Sequence, residues 1–157
     1  MRKKIIGPQQ KTSTAFDQDW LNLEHIAEVE MTSEDAAHPI ESALLPNRTT
    51  GWRAAGPGQQ TIRILFSAPQ RLQRVFLSFV ETQIERTHEY VLRWSPDNGK
   101  SFQEIVRQQW NFSPNGTSSE TGDYRVDLSG VTQLELNIIP NISGGNAIAS
   151  LLQLRLA

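Results

Sequence analysis

The segment 107–116, Arg-Gln-Gln-Trp-Asn-Phe-Ser-Pro-Asn-Gly, combines residue types that can recognise a polar ligand. An aromatic ring can lie against the apolar face of a pyranose, while amide and guanidinium groups donate hydrogen bonds to its hydroxyls. The segment therefore predicts a sugar-binding loop after a strand; the alternative is that Trp110 and Phe112 close one end of the core. Its candidate ligand-binding residues are Gln108, Gln109, Trp110 and Asn111.

Three more candidates lie in two other polar segments. Arg53 follows a Gly-Trp pair, Arg86 closes a polar run, and His88 begins the strand after that run. Cations and imidazoles at a loop rim can bind sugar hydroxyls or a protein partner. The predicted ligand face consists of segments 46–56, 81–88 and 107–120.

The sequence gives little support for enzymatic catalysis or for metal binding by side chains. The chain has three His and no Cys, and none of the histidines lies in a recognisable nucleophile motif or at a zinc-ligand spacing. Glu81 and Glu85 could form a glycosidase pair, but on one short loop they are better explained as solvated or paired with Arg86. The sequence therefore predicts a protein that is not an enzyme and has no metal ligands among its side chains.

Composition narrows the class of protein further. A chain of 157 residues with 38% apolar residues predicts one domain with a core of its own. The net charge of −2 removes the electrostatic case for nucleic acid, and no apolar run is long enough to span a membrane. The basic start does not continue into a secretory signal, so a cytoplasmic protein is expected. Residues 1–16 are expected to form a flexible tail and residues 17–157 the domain.

Apolar residues alternate with polar ones through most of the chain, which is typical of β-strands. The predicted strands are 61–66, 74–80, 89–95, 102–106, 124–128, 133–139 and 148–156. Gly, Pro, Asn and Asp separate them, and Asn98-Gly99 supplies the positive φ of a tight turn. The pattern predicts an all-β antiparallel sandwich, with one helical turn in 38–45. Trp20, Trp52, Trp94 and Phe102 are expected in or against the core.

The order of these segments resembles the discoidin family, also called coagulation-factor C-type domains. Segment 90–105 resembles its hallmark, a Tyr-bearing strand followed by Ser-x-Asp-x-Gly and an aromatic residue. Segments 51–53 and 60–64 are similar to its Thr-x-Trp region, and 149–156 to its closing strand. The resemblance implies a galactose-binding-domain-like jelly roll that binds sugars, lipid headgroups or proteins through loops at one end.

The sequence departs from that family where a metal is concerned. Many sugar-binding members hold a structural calcium beside the loop that corresponds to 42–50, with help from a Glu in the last strand. This loop has no Asp, and the last strand offers Gln153 and Arg155. Calcium prefers several hard oxygen ligands, which backbone carbonyls could supply in part. No cofactor is predicted, and structural calcium stays open as an alternative.

These observations lead to one main hypothesis. The protein is expected to be a non-catalytic module that binds carbohydrate through the loops at one end of a β-sandwich. The alternative is an adaptor that binds a protein partner and no small molecule.

Overall fold

The computed structural model describes residues 19–157; the predicted tail 1–16 lies outside these residues. Regular structure in this part is mostly β-strand, and neither of its two helices is long or apolar enough to span a membrane. The elements are α1 (Leu23–Ile26), β1 (Ala27–Met31), α2 (Glu41–Leu44), β2 (Trp52–Arg53), β3 (Gln60–Val80), β4 (Arg86–Ser95), β5 (Gln103–Phe112), β6 (Ser119–Ile139), β7 (Ser150–Leu151) and β8 (Gln153–Leu156).

The two longest strands, β3 and β6, belong to both layers of the sandwich. They pair antiparallel along their length, but their register shifts three times between Leu65 and Arg74. On one side of these shifts the sheet order is β1, β3, β6, β4, β5; on the other side β3 also pairs with β8. Such bulges bend a strand pair, and the bend lets one pair of strands serve two packed layers.

The core lies between the two layers and follows the alternation of the strands. Ile62 and Ile64 of β3 face the same interior as Leu134 and Leu136 of β6, and each is 1% exposed. The opposing layer contributes Leu77, Phe79, Leu154 and Leu156, each at most 1% exposed. Burying apolar side chains from two facing sheets is the main source of stability in such a fold.

The β4–β5 connection forms the predicted turn. Asn98 has φ +59° and Gly99 φ +86°, as the sequence predicted for this position. Trp94 packs against the core, although it is only half-buried. The expectation for Phe102 is wrong: it lies outside the core cluster, with the guanidinium carbon of Arg93 4.8 Å from its ring centre.

Several predicted boundaries need correction. The strand predicted to end at Val106 continues to Phe112, because the alternation persists through 107–112 while β5 stays paired to β4. Two pairs of predicted strands merge into β3 and β6, and the last one divides into β7 and β8. The helical turn is confirmed at Glu41–Leu44. The expectation for Trp20 is also wrong: it lies outside the core cluster, and its ring centre is 6.3 Å from that of Phe76.

Candidate functional site

A cavity of about 460 Å³ opens at one end of the sandwich. Its walls come from β2, from the loop that joins β3 to β4, and from segment 146–152 around β7. Arg53, Gln83 and Asn146 contribute polar groups, while Ile84 and Ile148 contribute apolar surface. A concave site with a few polar groups on an apolar wall is the usual form of a small-molecule site.

The short segment Gly51-Trp52-Arg53 builds one wall of this cavity. Gly51 has φ +74°, and a Cβ at this position would lie 2.8 Å from the backbone oxygen of Leu151, so only glycine fits. Trp52 is 1% exposed and donates a hydrogen bond from Nε1 to the backbone oxygen of Ser33 at 3.1 Å. Because strand residues alternate in direction, anchoring Trp52 in the core leaves Arg53 exposed at the cavity.

The backbone of Arg53 is fixed while its guanidinium is free. Its N–H donates to the oxygen of His38 at 3.2 Å, and its oxygen accepts from the N–H of Asp35 at 2.8 Å. Within residues 19–157 the guanidinium makes no hydrogen bond or ion pair. The pKa of Asp35 is lowered, chiefly by a hydrogen bond from the N–H of Ala37 and in small part by the charge of Arg53. A cation with unused donors therefore faces the cavity.

Arg86 also lines the cavity, but its donors are engaged. Nε donates to Glu81 at 2.7 Å and a terminal nitrogen donates to the oxygen of Pro140 at 2.7 Å, while the side chain is 2% exposed. Burial raises the pKa of Glu81, but hydrogen bonds from the N–H of Gln83 and from Arg86 outweigh burial and lower it overall. Glu81 is therefore ionised and compensates Arg86, as the sequence predicted for this pair.

His88 lies in the core and does not line this cavity. It is 1% exposed, and its Nε2 lies 2.5 Å from Oε1 of Glu120. The rings of Phe79 and Phe112 pack against it, with centres 4.8 and 4.6 Å from the centre of its own ring. The position at the start of a strand suggested a loop rim, but β4 begins at Arg86 and turns His88 inward.

The four candidates on β5 lie along a strand that pairs with β4. Gln108 and Trp110 are half-buried, whereas Gln109 and Asn111 are exposed. Trp110 packs against the core cluster, opposite His88 in the register. None of the four lines the cavity. Of the seven candidate residues, Arg53 and Arg86 line it, and His88 and the four on β5 do not. A ligand role for those five stays a prediction.

Two of the predicted segments, 46–56 and 81–88, contribute to the cavity, but several of its residues were not singled out from the sequence. Ile84 is 46% exposed, which is unusual for so large an apolar side chain, and it lies beside Gln83 in the 81–85 loop. Asn146 ends a Ser-Gly-Gly-Asn run that the sequence marked only as a turn. The sequence signal that could have been used is an isoleucine within the otherwise polar run 81–86. The approach of segment 146–152 to β2 could not be predicted in this way, since it depends on pairing between Trp52 and Leu151.

Solved structures share this architecture. A pectin-binding carbohydrate-binding module matches at 16% identity and a TM-score of 0.61, covering 84% of this chain and 90% of that one. The family 32 module of AlyQ, in complex with 4,5-unsaturated mannuronic acid, matches at 18% identity and a TM-score of 0.60, covering 84% and 95%. The family 32 module of NanJ from C. perfringens, in complex with galactose, matches at 15% identity and a TM-score of 0.59, covering 83% and 92%.

This fold is the galactose-binding-domain-like jelly roll. The likeness at these identities concerns the fold, since no family model matches the sequence and no curated protein matches it either. The jelly roll confirms the all-β antiparallel sandwich predicted from the alternation and the turns.

The jelly roll raises the question of calcium at the loop 42–50. The backbone oxygens of Ala43 and Leu45 accept hydrogen bonds from Arg155 at 2.7 and 3.0 Å. Within residues 19–157 no group of three or more His, Asp or Glu is placed to hold a metal ion. A calcium ion beside these oxygens would have to displace a buried guanidinium of like charge. The residues at this position do not fit calcium.

Proposed function

We propose that this protein is a non-catalytic carbohydrate-binding module that binds a sugar in the cavity beside Arg53. The observation that carries the proposal is the free guanidinium of Arg53 at the mouth of an open cavity with polar and apolar walls. Structural neighbours whose names state pectin, mannuronic acid or galactose as ligands support it. No contact among residues 19–157 favours the alternative of a protein-binding adaptor.

The charge balance of the cavity favours an acidic sugar. Glu81 is neutralised by Arg86, while the donors of Arg53 are unused. A planar guanidinium matches a carboxylate with two parallel hydrogen bonds, which makes arginine the residue best suited to bind a uronate. The tryptophan that lines the cavity, Trp52, is only 1% exposed, so its face cannot stack on a sugar ring. Ile84 and Ile148 then supply the apolar contact.

The test measures binding of oligogalacturonate, oligomannuronate and neutral galactan fragments by titration calorimetry. Both uronate series should bind more tightly than galactan, with an affinity that falls as salt rises, because the contact is a charge pair at the surface. Arg53→Gln should weaken uronate binding roughly ten- to a hundredfold, as expected for a lost hydrogen bond between charged groups.

Arg48→Gln is the matched control, because Arg48 is exposed in the neighbouring loop and does not line the cavity. It should leave the affinity unchanged. Equal binding by the wild type and Arg53→Gln would contradict the site, and equal affinity for galactan and the uronates would contradict the acidic ligand.

A further inference from the structure

Arg155 is a buried cation in the last strand of the fold. It lies on β8 between Leu154 and Leu156, which face the core, so its own side chain leaves the opposite face of the sheet. The residue is nevertheless only 9% exposed. Segment 43–45, at the end of α2, covers it.

The guanidinium of Arg155 is surrounded by backbone oxygens. One terminal nitrogen donates to the oxygens of Ala43 at 2.7 Å and Leu154 at 3.0 Å, and the other donates to Leu45 at 3.0 Å. No ion pair to a carboxylate is present for it in the part of the chain that is described. A buried arginine usually has a carboxylate partner, because burying an uncompensated charge is costly. Here the partial negative charges of carbonyl oxygens replace that partner.

Backbone carbonyl oxygens grouped around one side-chain cation are also the type of ligand that a hard cation such as calcium prefers. Those of Ala43 and Leu45 come from the end of α2, where the last carbonyls of a helix lack intrahelical donors. A cation at this position interacts with both carbonyl oxygens. It thereby links β8 to the end of α2, which loop 46–50 connects to β2. β2 carries Arg53 at the cavity.

We propose that the carbonyls of Ala43 and Leu45 form a cation site, and that the guanidinium of Arg155 fills it permanently. The side chain of Arg155 takes the structural role that a bound calcium ion would have. Loop 46–50, which precedes β2, is therefore stabilised without a metal ion. This inference does not depend on which ligand the cavity binds, and its tests measure stability instead of binding.

The first test compares thermal unfolding of the full chain in excess EDTA and in millimolar calcium. The two melting temperatures should agree within error, since the site already holds its cation. A melting temperature that calcium raises in the wild type would overturn the proposal.

The second test removes the charge. Arg155→Met keeps much of the length of the side chain but leaves buried oxygens without donors, so the melting temperature should fall by roughly 5–10 °C. Arg155→Lys, which retains a cation with several donors, should recover part of the loss. Arg125→Met is the control: Arg125 is an exposed strand arginine, and its replacement should change the melting temperature little.

If Arg155→Met melts like the control, or if Arg155→Lys is no better than Arg155→Met, the cation has no structural role and the proposal fails. Hydrogen exchange of amides 42–53 should rise in Arg155→Met and stay at the wild-type level in the control. Unchanged exchange in that segment would equally overturn the link between β8 and the loop.

The third test asks whether the same position binds calcium once a carboxylate replaces the guanidinium. Arg155→Glu replaces the guanidinium with a carboxylate beside the same carbonyls, which creates a set of hard oxygen ligands. In EDTA this variant should melt well below the wild type, and calcium should restore much of the loss, whereas the wild type should not respond. A variant that calcium does not stabilise would show that these carbonyls are not a cation site.

Discussion

Nε2 of His88 lies 2.5 Å from Oε1 of Glu120, and the two side chains are 1% and 4% exposed. The other ring nitrogen of His88 is buried without a hydrogen-bond partner among residues 19–157. The pair joins β4 to β6 in the core, and the rings of Phe79 and Phe112 pack against His88. A polar pair in such surroundings depends on both members, because either one alone would be an unsatisfied polar group in an apolar core.

Removing both members should therefore cost less than the sum of the losses caused by removing each one alone. Glu120→Leu removes the hydrogen-bond partner of His88 and should reduce the free energy of unfolding by about 3–5 kcal/mol. The double variant His88→Leu/Glu120→Leu should lose less than the sum of the two single losses, because no buried polar group remains. Urea denaturation of the four proteins measures the coupling. Additive losses would mean that the pair is not coupled.

Trp110 should contribute to stability and not to ligand binding at the cavity. Its ring packs against the core from β5, so Trp110→Ala should lose about 2–4 kcal/mol through the space it leaves. Gln109→Ala, at the exposed neighbouring position, is the control and should change stability by less than about 0.5 kcal/mol. Calorimetry with oligogalacturonate should give wild-type affinity for Trp110→Ala. A stable variant that no longer binds would instead put the ligand beside β5.

The β4–β5 turn should lose stability in acid. Hydrogen bonds from the side chain and backbone of Ser101 and from the hydroxyl of Ser95 lower the pKa of Asp97 from 3.8 to about 2. The carboxyl group of Asp97 is therefore protonated at a lower pH in the folded state than in the unfolded state. The stabilisation is complete above pH 3.8 and is lost as the pH falls through about 2.

Asp97→Asn cannot titrate at this position and provides the comparison. The melting temperature of the wild type should exceed that of the variant at neutral pH, and the difference should shrink as the pH falls from about 4 to about 2. A difference that stays constant over this range would mean that Asp97 has the same pKa in the folded and unfolded states.

Local patterns were enough to predict the β-sandwich and its best-defined turn. Alternation in segments such as 61–66 depends only on which face of a strand each residue occupies, and the Asn98-Gly99 turn depends on backbone freedom at two residues. The same alternation continued through 107–112, where Gln108 and Trp110 face inward and Gln109 faces outward. The sequence nevertheless predicts a loop for that segment, because its amides are typical of polar recognition.

The sequence by itself determined the strand periodicity, the Asn98-Gly99 turn and the choice of Arg53 as a candidate ligand-binding residue. Each of these depends on residues that are close together in the chain. Only the tertiary structure decided which candidates share a cavity, since β2 meets segment 146–152 through pairing that spans about a hundred residues of chain. It also decided that His88 is buried against Glu120 and that Arg155 binds the carbonyls of Ala43 and Leu45. A buried charge is tolerated only where its partners are supplied, and here the partners come from distant segments that folding brings together.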